Sequence, residues 1–323
     1  MNMIQRQTDL DNLFPLVLIQ HYEIVNRDAL STLQSIPSET IDCCVTSPPY
    51  YGLRSYLPAE HENKALEVGY QETVPQYVDR LVTIFKEVAR VVKNDGTIWL
   101  NLGDSYVTDS SHGCANLKRK DLIGIPWAVA FALRDSGLYL RSDIIWSKPN
   151  PMPDGAKDRP TKAHEYLFLL TKSEHYYYNA AAIREPNKVA PHAHGRSKQA
   201  GQITAIRNAA SDAASRQPDR IWAPNGGRNK RSVWSINVRP FKGAHFATFP
   251  TKLIEPCVLA GCPPDGIVLD PFSGAATSGL TALMNGRRYL GIELNKEYCA
   301  LSEQRLKPFA APEVLSPWVT LAS

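Results

Sequence analysis

The sequence predicts an α/β fold with a mostly parallel sheet covered on both faces, and three observations carry that reading. Short β-like runs alternate along the chain with stretches whose apolar residues keep helical spacing. One apolar run, Ile41-Asp42-Cys43-Cys44-Val45, reads as a buried strand and stops at Thr46-Ser47-Pro48-Pro49-Tyr50. Near the other end, Ile267 to Glu293 has the order strand, Gly-containing turn, helix, strand.

Between these, Leu81, Ile84, Phe85, Val88 and Val92 place a helix over Tyr77 to Val92, with Asn94-Asp95-Gly96 as its stop and Thr97 to Asn101 as the next strand. Pro126 opens a helix through about Arg134 that Gly137 ends, and Tyr139–Trp146 and Tyr166–Leu170 read as strands. In the closing unit, Ile267–Asp270 and Tyr289–Glu293 are strands flanking a helix with Leu280, Leu283 and Met284, capped at Gly286.

From Asn187 to Arg231 the pattern dissolves into Gly, Ala, Ser, Asn and Arg, with too few large apolar residues for a core. That segment holds nine Lys or Arg against two acids, a net +7 in a chain whose total is +4. It is therefore a surface suited to phosphates, although a solvated basic loop without specificity has the same composition.

At 323 residues and 43% hydrophobic, the chain has material for one large core plus a modest insertion. No apolar stretch approaches the roughly 18 residues of a membrane span. The start, Met1 to Arg6, lacks the order of a secretory signal, so a soluble, intracellular protein is expected. The six cysteines include no C-x-x-C pair and read as reduced thiols, and the eight histidines show no metal-ligand spacing, so no metal is expected.

Two loops carry chemistry. Asp270-Pro271-Phe272-Ser273-Gly274-Ala275-Ala276-Thr277 leaves a strand and enters a helix; its small residues let the backbone approach a ligand. Glu293 ends the following strand, where a Rossmann-like site sets a carboxylate on ribose hydroxyls. A tight connection without a ligand fits the same letters, and G-x-G-x-x-G is absent. In the other loop, Pro48 and Pro49 stiffen the backbone and remove two N–H donors. Ser47 and a prolyl carbonyl are then acceptors for a base amino group, with the Tyr50 ring as a stacking platform. An ordinary proline-stiffened turn is the plainer alternative.

Together the loops resemble the amino-methyltransferases of DNA, in the class where the catalytic loop comes first and the cofactor loop last. The likeness runs from about Asp28 to Leu306. Ser47-Pro48-Pro49-Tyr50 matches the catalytic loop, which is Asp, Asn or Ser, then Pro-Pro, then Tyr, Phe or Trp. Asp270, Phe272 and Gly274 match the cofactor loop, Glu293 the ribose-binding acid, and Asp28 a carboxylate near the adenine. His245 to Pro250 resembles the segment that closes over the methionine end, and Trp146 to Pro153 a motif preceding the variable target-recognition region.

The fold this implies is Rossmann-like, a seven-stranded mixed sheet with one antiparallel strand, in circularly permuted order with an inserted recognition region. Residues 1–186 would form the catalytic half, 187–235 the basic insertion, 236–310 the cofactor half and 311–323 a tail. The resemblance implies S-adenosyl-L-methionine as cofactor, held by Asp28, Thr46, Phe249, Asp270, Phe272, Gly274, Thr277 and Glu293. It implies duplex DNA as partner, with Arg196, Lys198, Arg207, Arg216, Arg220, Arg228, Lys230 and Arg231 as contacts. Serine at the first loop position is commoner in cytosine-N4 enzymes and aspartate in adenine-N6 enzymes, so N4-cytosine is favoured over N6-adenine. A DNA-binding protein on a degenerate methylase fold, and an RNA or protein amide methyltransferase, are the competing classes. A cytoplasmic bacterial or phage enzyme is expected, monomeric or dimeric, with a cognate restriction endonuclease as a possible companion. One departure stands out. The family's cofactor loop reads F-x-G-x-G, and Ala276 occupies the second glycine's place; a positive φ there would make alanine weaken cofactor binding, whereas a turn that accepts a small residue, the reading favoured, tolerates a methyl.

Overall fold

A computed structural model describes residues 21–52, 55–70, 72–108, 117–186, 227–238 and 249–309. Chain contacts divide it into a larger unit, 1–179 with 231–323, and a smaller one, 180–230. In the smaller unit Glu185 and Arg228 exchange two backbone hydrogen bonds and form an ion pair at 3.1 Å.

The larger unit is built on one eight-stranded sheet. Its strands are β1 (Tyr22–Asn26), β2 (Ile41–Thr46), β3 (Val92–Leu102), β4 (Tyr139–Ser147), β5 (His164–Thr171), β6 (Val233–Ser235), β7 (Ile267–Asp270) and β8 (Arg288–Glu293). They lie in the order β1-β8-β7-β2-β3-β5-β4-β6. β5 runs antiparallel to both neighbours, β3 and β4, and every other pair is parallel. The mixed sheet with its single antiparallel strand is as expected, with eight strands in place of seven. The short edge strand β6 lies within the stretch assigned to the insertion; its three residues are too few to carry a periodic signal.

Among the described residues there are six α-helices, α1 (Ala29–Ser35), α2 (Val74–Val91), α3 (Ile125–Asp135), α4 (Thr251–Gly261) and α5 (Thr277–Met284) between strands and α6 (Lys296–Leu306) after the last one. α2 begins three residues before the expected Tyr77. Thr73 and Gln76 form a reciprocal capping box there, and a proline sits in the first turn. Its face of Tyr77, Leu81, Ile84, Phe85, Val88 and Val91 is buried against the sheet.

The expected stop at Asn94-Asp95-Gly96 is not where the helix ends. Val91 and Val92 are both fully buried, so the chain passes from helix to strand inside the core, and Asn94 to Gly96 fall within β3. Gly96 serves a different end: a Cβ there would stand 2.7 Å from the Asp42 carbonyl, beside the break in β2–β3 register between Ile41 and Cys43. Cys43 and Cys44 are buried thiols, and none of the five described cysteines is in a disulfide; Cys114 lies outside the described residues. Among the described residues no helix is long and apolar enough to cross a membrane, and no His/Cys/Asp/Glu group has a metal-binding arrangement.

The topology decides where a ligand can sit. From β2 the chain crosses to β3 on one side, and from β7 it crosses to β8 on the other. Adjacent parallel strands whose connections leave in opposite directions open a crevice beyond their carboxyl ends. Those ends are Thr46 and Asp270.

Candidate active site

The crevice is a cavity of about 1000 Å³ whose lining belongs to the larger unit alone. Ser47, Pro48, Pro49 and Tyr50 line it from the β2 loop, and Phe272, Gly274 and Thr277 from the β7 loop. Asp28, Phe249, Asp270 and Glu293 complete the set, so eleven of the twelve catalytic and cofactor residues named from sequence meet in one space. The twelfth, Thr46, lies directly behind it. Its hydroxyl donates to Asp270 Oδ1 at 2.6 Å, tying the two loops together.

Asp270 spends its oxygens on the protein. Oδ1 also accepts the Phe272 N–H at 3.1 Å, and Oδ2 accepts the Ser278 hydroxyl at 2.5 Å. Burial pushes its carboxyl up to about 6, against the pull of those hydrogen bonds. Asp270 is thus the brace of both loops.

Glu293 is placed differently. Oε2 accepts the Gly274 N–H at 2.7 Å and Oε1 the Asn295 N–H at 2.8 Å, the Leu294 backbone N–H also bears on the carboxylate, and the residue lines the cavity. Burial again dominates and pushes this carboxyl up to about 7. Asp28 caps α1, accepting the Ser31 N–H at 2.9 Å and the Ser31 hydroxyl.

The connection between the loop and α5 demands left-handed backbone at two positions, Gly274 (φ 53°) and Ala276 (φ 50°). The place where the family pattern has glycine therefore does require positive φ, and alanine adopts it. Glycine at 276 would relieve about 1–2 kcal/mol of left-handed strain. It would also give up one buried methyl and restore unfolded-chain entropy, terms of similar size. Ala276→Gly is therefore expected within about 1 kcal/mol of the parent in chemical denaturation. Ala276→Val, β-branched at a fully buried site, should lose about 2–4 kcal/mol.

On the β2 side, the half-buried Tyr50 donates its phenol hydrogen to Glu165 Oε2 at 2.6 Å, with Asn101 Oδ1 at 3.2 Å and the Ser47 hydroxyl also against it. Burial, then the Glu165 charge, hold the phenol well above its usual range, so it remains a neutral donor. The two prolyl carbonyls are not equivalent. Pro49's accepts the Tyr77 hydroxyl at 2.8 Å, whereas among the described residues no hydrogen bond reaches Pro48's.

Sequence reasoning passed over Asn101, Lys148 and Glu165 as site residues, although all three line the cavity. A polar residue closing a predicted strand, as Asn101 does, was the available signal. Of the basic residues named, Arg196, Lys198, Arg207, Arg216 and Arg220 lie outside the described residues, as do His245 to Thr248 and the tail 311–323. Arg228 is paired with Glu185 in the smaller unit, which also holds Lys230; Arg231, in the larger unit, is exposed.

A Rossmann-like sheet with an S-P-P-Y loop and a Gly-bearing loop braced together at its switch point is the arrangement that the resemblance to the amino-methylating DNA methylases implied. The chain belongs to the N6/N4 DNA methylase family, which it matches over residues 41–304. It is 44% identical to the Type II methyltransferase M.Cfr9I of Citrobacter freundii over 301 residues, 87% of this chain and 86% of that one. It is 41% identical to the Type II methyltransferase M.SmaI of Serratia marcescens, covering 88% and 90%. Its fold resembles that of the cytosine-N4-specific PvuII DNA methyltransferase, with a TM-score of 0.61 at 20% identity over 90% and 91% of the chains. A putative DNA modification methylase of Thermus thermophilus, solved with S-adenosyl-L-methionine, gives 0.58 at 24% over 90% and 95%.

Proposed function

We propose that this DNA methylase transfers a methyl group from S-adenosyl-L-methionine to the exocyclic N4 of cytosine in duplex DNA, the target base being extruded into the cavity. The observation that carries the reading is the Thr46–Asp270 hydrogen bond, through which Ser47 and Tyr50 share one cavity with Gly274 and Glu293. Ligand pockets generally span about 300–1000 Å³, so this one is large enough for a nucleoside donor and a base together.

The residues present fit the donor. Glu293 lines the cavity as an acceptor for the ribose hydroxyls, and Phe249 and Phe272 offer apolar walls. Asp28, Gly274 and Thr277 complete the cofactor side, with Thr46 and Asp270 bracing it. When bound, S-adenosylmethionine supplies an electrophilic methyl carbon.

The protein's own part is to prepare the amino nitrogen, whose lone pair is delocalised into the ring. Ser47 and the Pro48 carbonyl accept hydrogen bonds from its two N–H groups and favour the tetrahedral arrangement in which that pair is localised, and as the N–C bond forms and the S–C bond breaks the surplus amino proton leaves past Ser47 to solvent. Tyr50 stacks on the base and recovers part of the few kcal/mol that extrusion costs. No cysteine is required. Cys43 and Cys44 are fully buried, and burial raises both thiols far from the thiolate a nucleophile needs.

The choice of cytosine rests on Ser47, a hydroxyl where adenine-N6 enzymes typically carry a carboxylate. Incubation with methyl-labelled donor and plasmid DNA, followed by nucleoside mass spectrometry, tests this. Labelled N4-methylcytosine is expected; N6-methyladenine would overturn the base assignment, and unlabelled DNA the catalytic one.

We assign target recognition to the insertion 187–235, between a catalytic half and a cofactor half, with Arg196, Lys198, Arg207, Arg216, Arg220, Arg228, Lys230 and Arg231 as DNA contacts. Each phosphate neutralised steepens the fall of log K with log salt by about 0.9, so a titration from low to moderate salt should weaken binding steeply. Replacing Arg207, Arg216 and Arg220 together by alanine should flatten that slope by about 2–3 if each contacts phosphate. An unchanged slope would remove them from the interface. The Type II methyltransferase relatives support a cognate restriction endonuclease as its companion, a solitary methylase being the alternative.

A further inference from the structure

Tyr50 is held from several directions, and part of that hold comes from residues with no place in the reaction above. Glu165 Oε2 takes the phenol hydrogen at 2.6 Å, and its other oxygen accepts the Lys148 ammonium. The two charged side chains are only 18% (Lys148) and 14% (Glu165) exposed. Lys148 lies over the Trp146 ring, 4.4 Å from its centroid, and the Trp146 indole N–H donates to the Ile236 carbonyl at 2.8 Å. Behind Tyr50, a Cβ at Gly103 would stand 2.5 Å from its Cε2, so the ring packs directly on glycine. Asn101, which also meets the phenol, is itself oriented by donating to the Tyr166 carbonyl at 3.0 Å.

An ion pair this deep returns little net stability, because desolvating both charges offsets their attraction, and apolar residues could fill the same space. What it does supply is a fixed acceptor for one phenol in a cavity wall. We infer that Lys148 and Glu165 are a positioning pair: Glu165 locks the Tyr50 ring in the orientation that receives the extruded base, and Lys148, bonded to the other oxygen, holds the Glu165 carboxyl in place for that bond. The inference rests on the reading that Tyr50 stacks on the target. A reacting group displaced by about 1 Å can lose about 10²-fold in rate, so a ring released at its tip should slow the chemical step while leaving donor binding alone.

The test combines single-turnover transfer of labelled methyl to plasmid DNA with calorimetric binding of S-adenosylmethionine. Glu165→Gln and Tyr50→Phe should each slow transfer by about 10²-fold with donor affinity within about twofold of the parent. The double variant should be no slower than Tyr50→Phe alone, because both changes break one clamp. Lys148→Arg should recover most of what Lys148→Met loses. Multiplying losses in the double variant, a parallel loss of donor affinity, or parental rates in both single variants would overturn the inference. Should Glu165→Gln fail to fold, Tyr50→Phe, which removes one oxygen, carries the test. Tyr50→Ala separates the two claims: at parental rate it sinks the stacking reading itself, whereas a slow Tyr50→Ala beside fast Tyr50→Phe and Glu165→Gln sinks only the clamp.

Discussion

Replacing Tyr50 by alanine is expected to slow methyl transfer in a single turnover by at least about 10³-fold, beyond the loss in Tyr50→Phe, since base–aromatic stacking contributes about 1–3 kcal/mol and the lost ring also orients the base. The ring lines the cavity, but its fixed contacts run to Glu165, Asn101 and Gly103, away from the β7 loop where the donor is placed. S-adenosylmethionine affinity should therefore change little. DNA carrying 2-aminopurine at the target should also lose the fluorescence gain that accompanies extrusion. A donor affinity that falls with the rate would relocate Tyr50 to the cofactor side.

The second large effect belongs to Glu293. Two hydrogen bonds to a charged acceptor, each contributing about 1.5–3 kcal/mol, make Glu293→Ala weaken donor binding by at least about 10²-fold. The same carboxylate imposes a pH dependence with two opposite signs. Its pKa in the free protein, about 7, lies above the ordinary 4.5, so between these values the folded chain binds more protons than the unfolded one. Stability of the free protein from this group thus falls as pH rises from about 4.5 to 7, and Asp270, raised to about 6, acts in the same direction. The donor's ribose hydroxyls need the ionised acceptor, so donor affinity should rise across that window. Thermal shifts measured with and without S-adenosylmethionine from pH 5 to 8 should show a ligand-induced increment that grows with pH. An increment independent of pH would mean that Glu293 does not accept the ribose.

Features decided by local letters were legible in the sequence. Two prolines after a buried strand and small residues after another fixed both loops, and the switch-point rule brought them to one edge. The reduced legibility elsewhere has particular causes. α4 carries Pro256 in its interior, which breaks the pattern a helix is read from. α6 buries only Ser302 and Leu306, so it has no apolar stripe to find. Among the described strands β1 pairs with β8 alone, Tyr22 opposite Tyr289, across nearly the whole chain. The capping box at Thr73 and Gln76 was readable and passed over. Glu165 gains its meaning from Tyr50 and Lys148 on other elements, a juxtaposition that no spacing along the chain encodes.

The central claim is that one cavity brings a methyl donor on the β7 side to a base on the β2 side. A crystal structure with a non-reactive donor analogue and target duplex tests it most directly. The analogue's ribose is expected on Glu293, with an extruded cytosine stacked on Tyr50 and its amino group between Ser47 and the Pro48 carbonyl. A target base still stacked in the duplex, or an analogue bound away from Glu293 and Gly274, would contradict it.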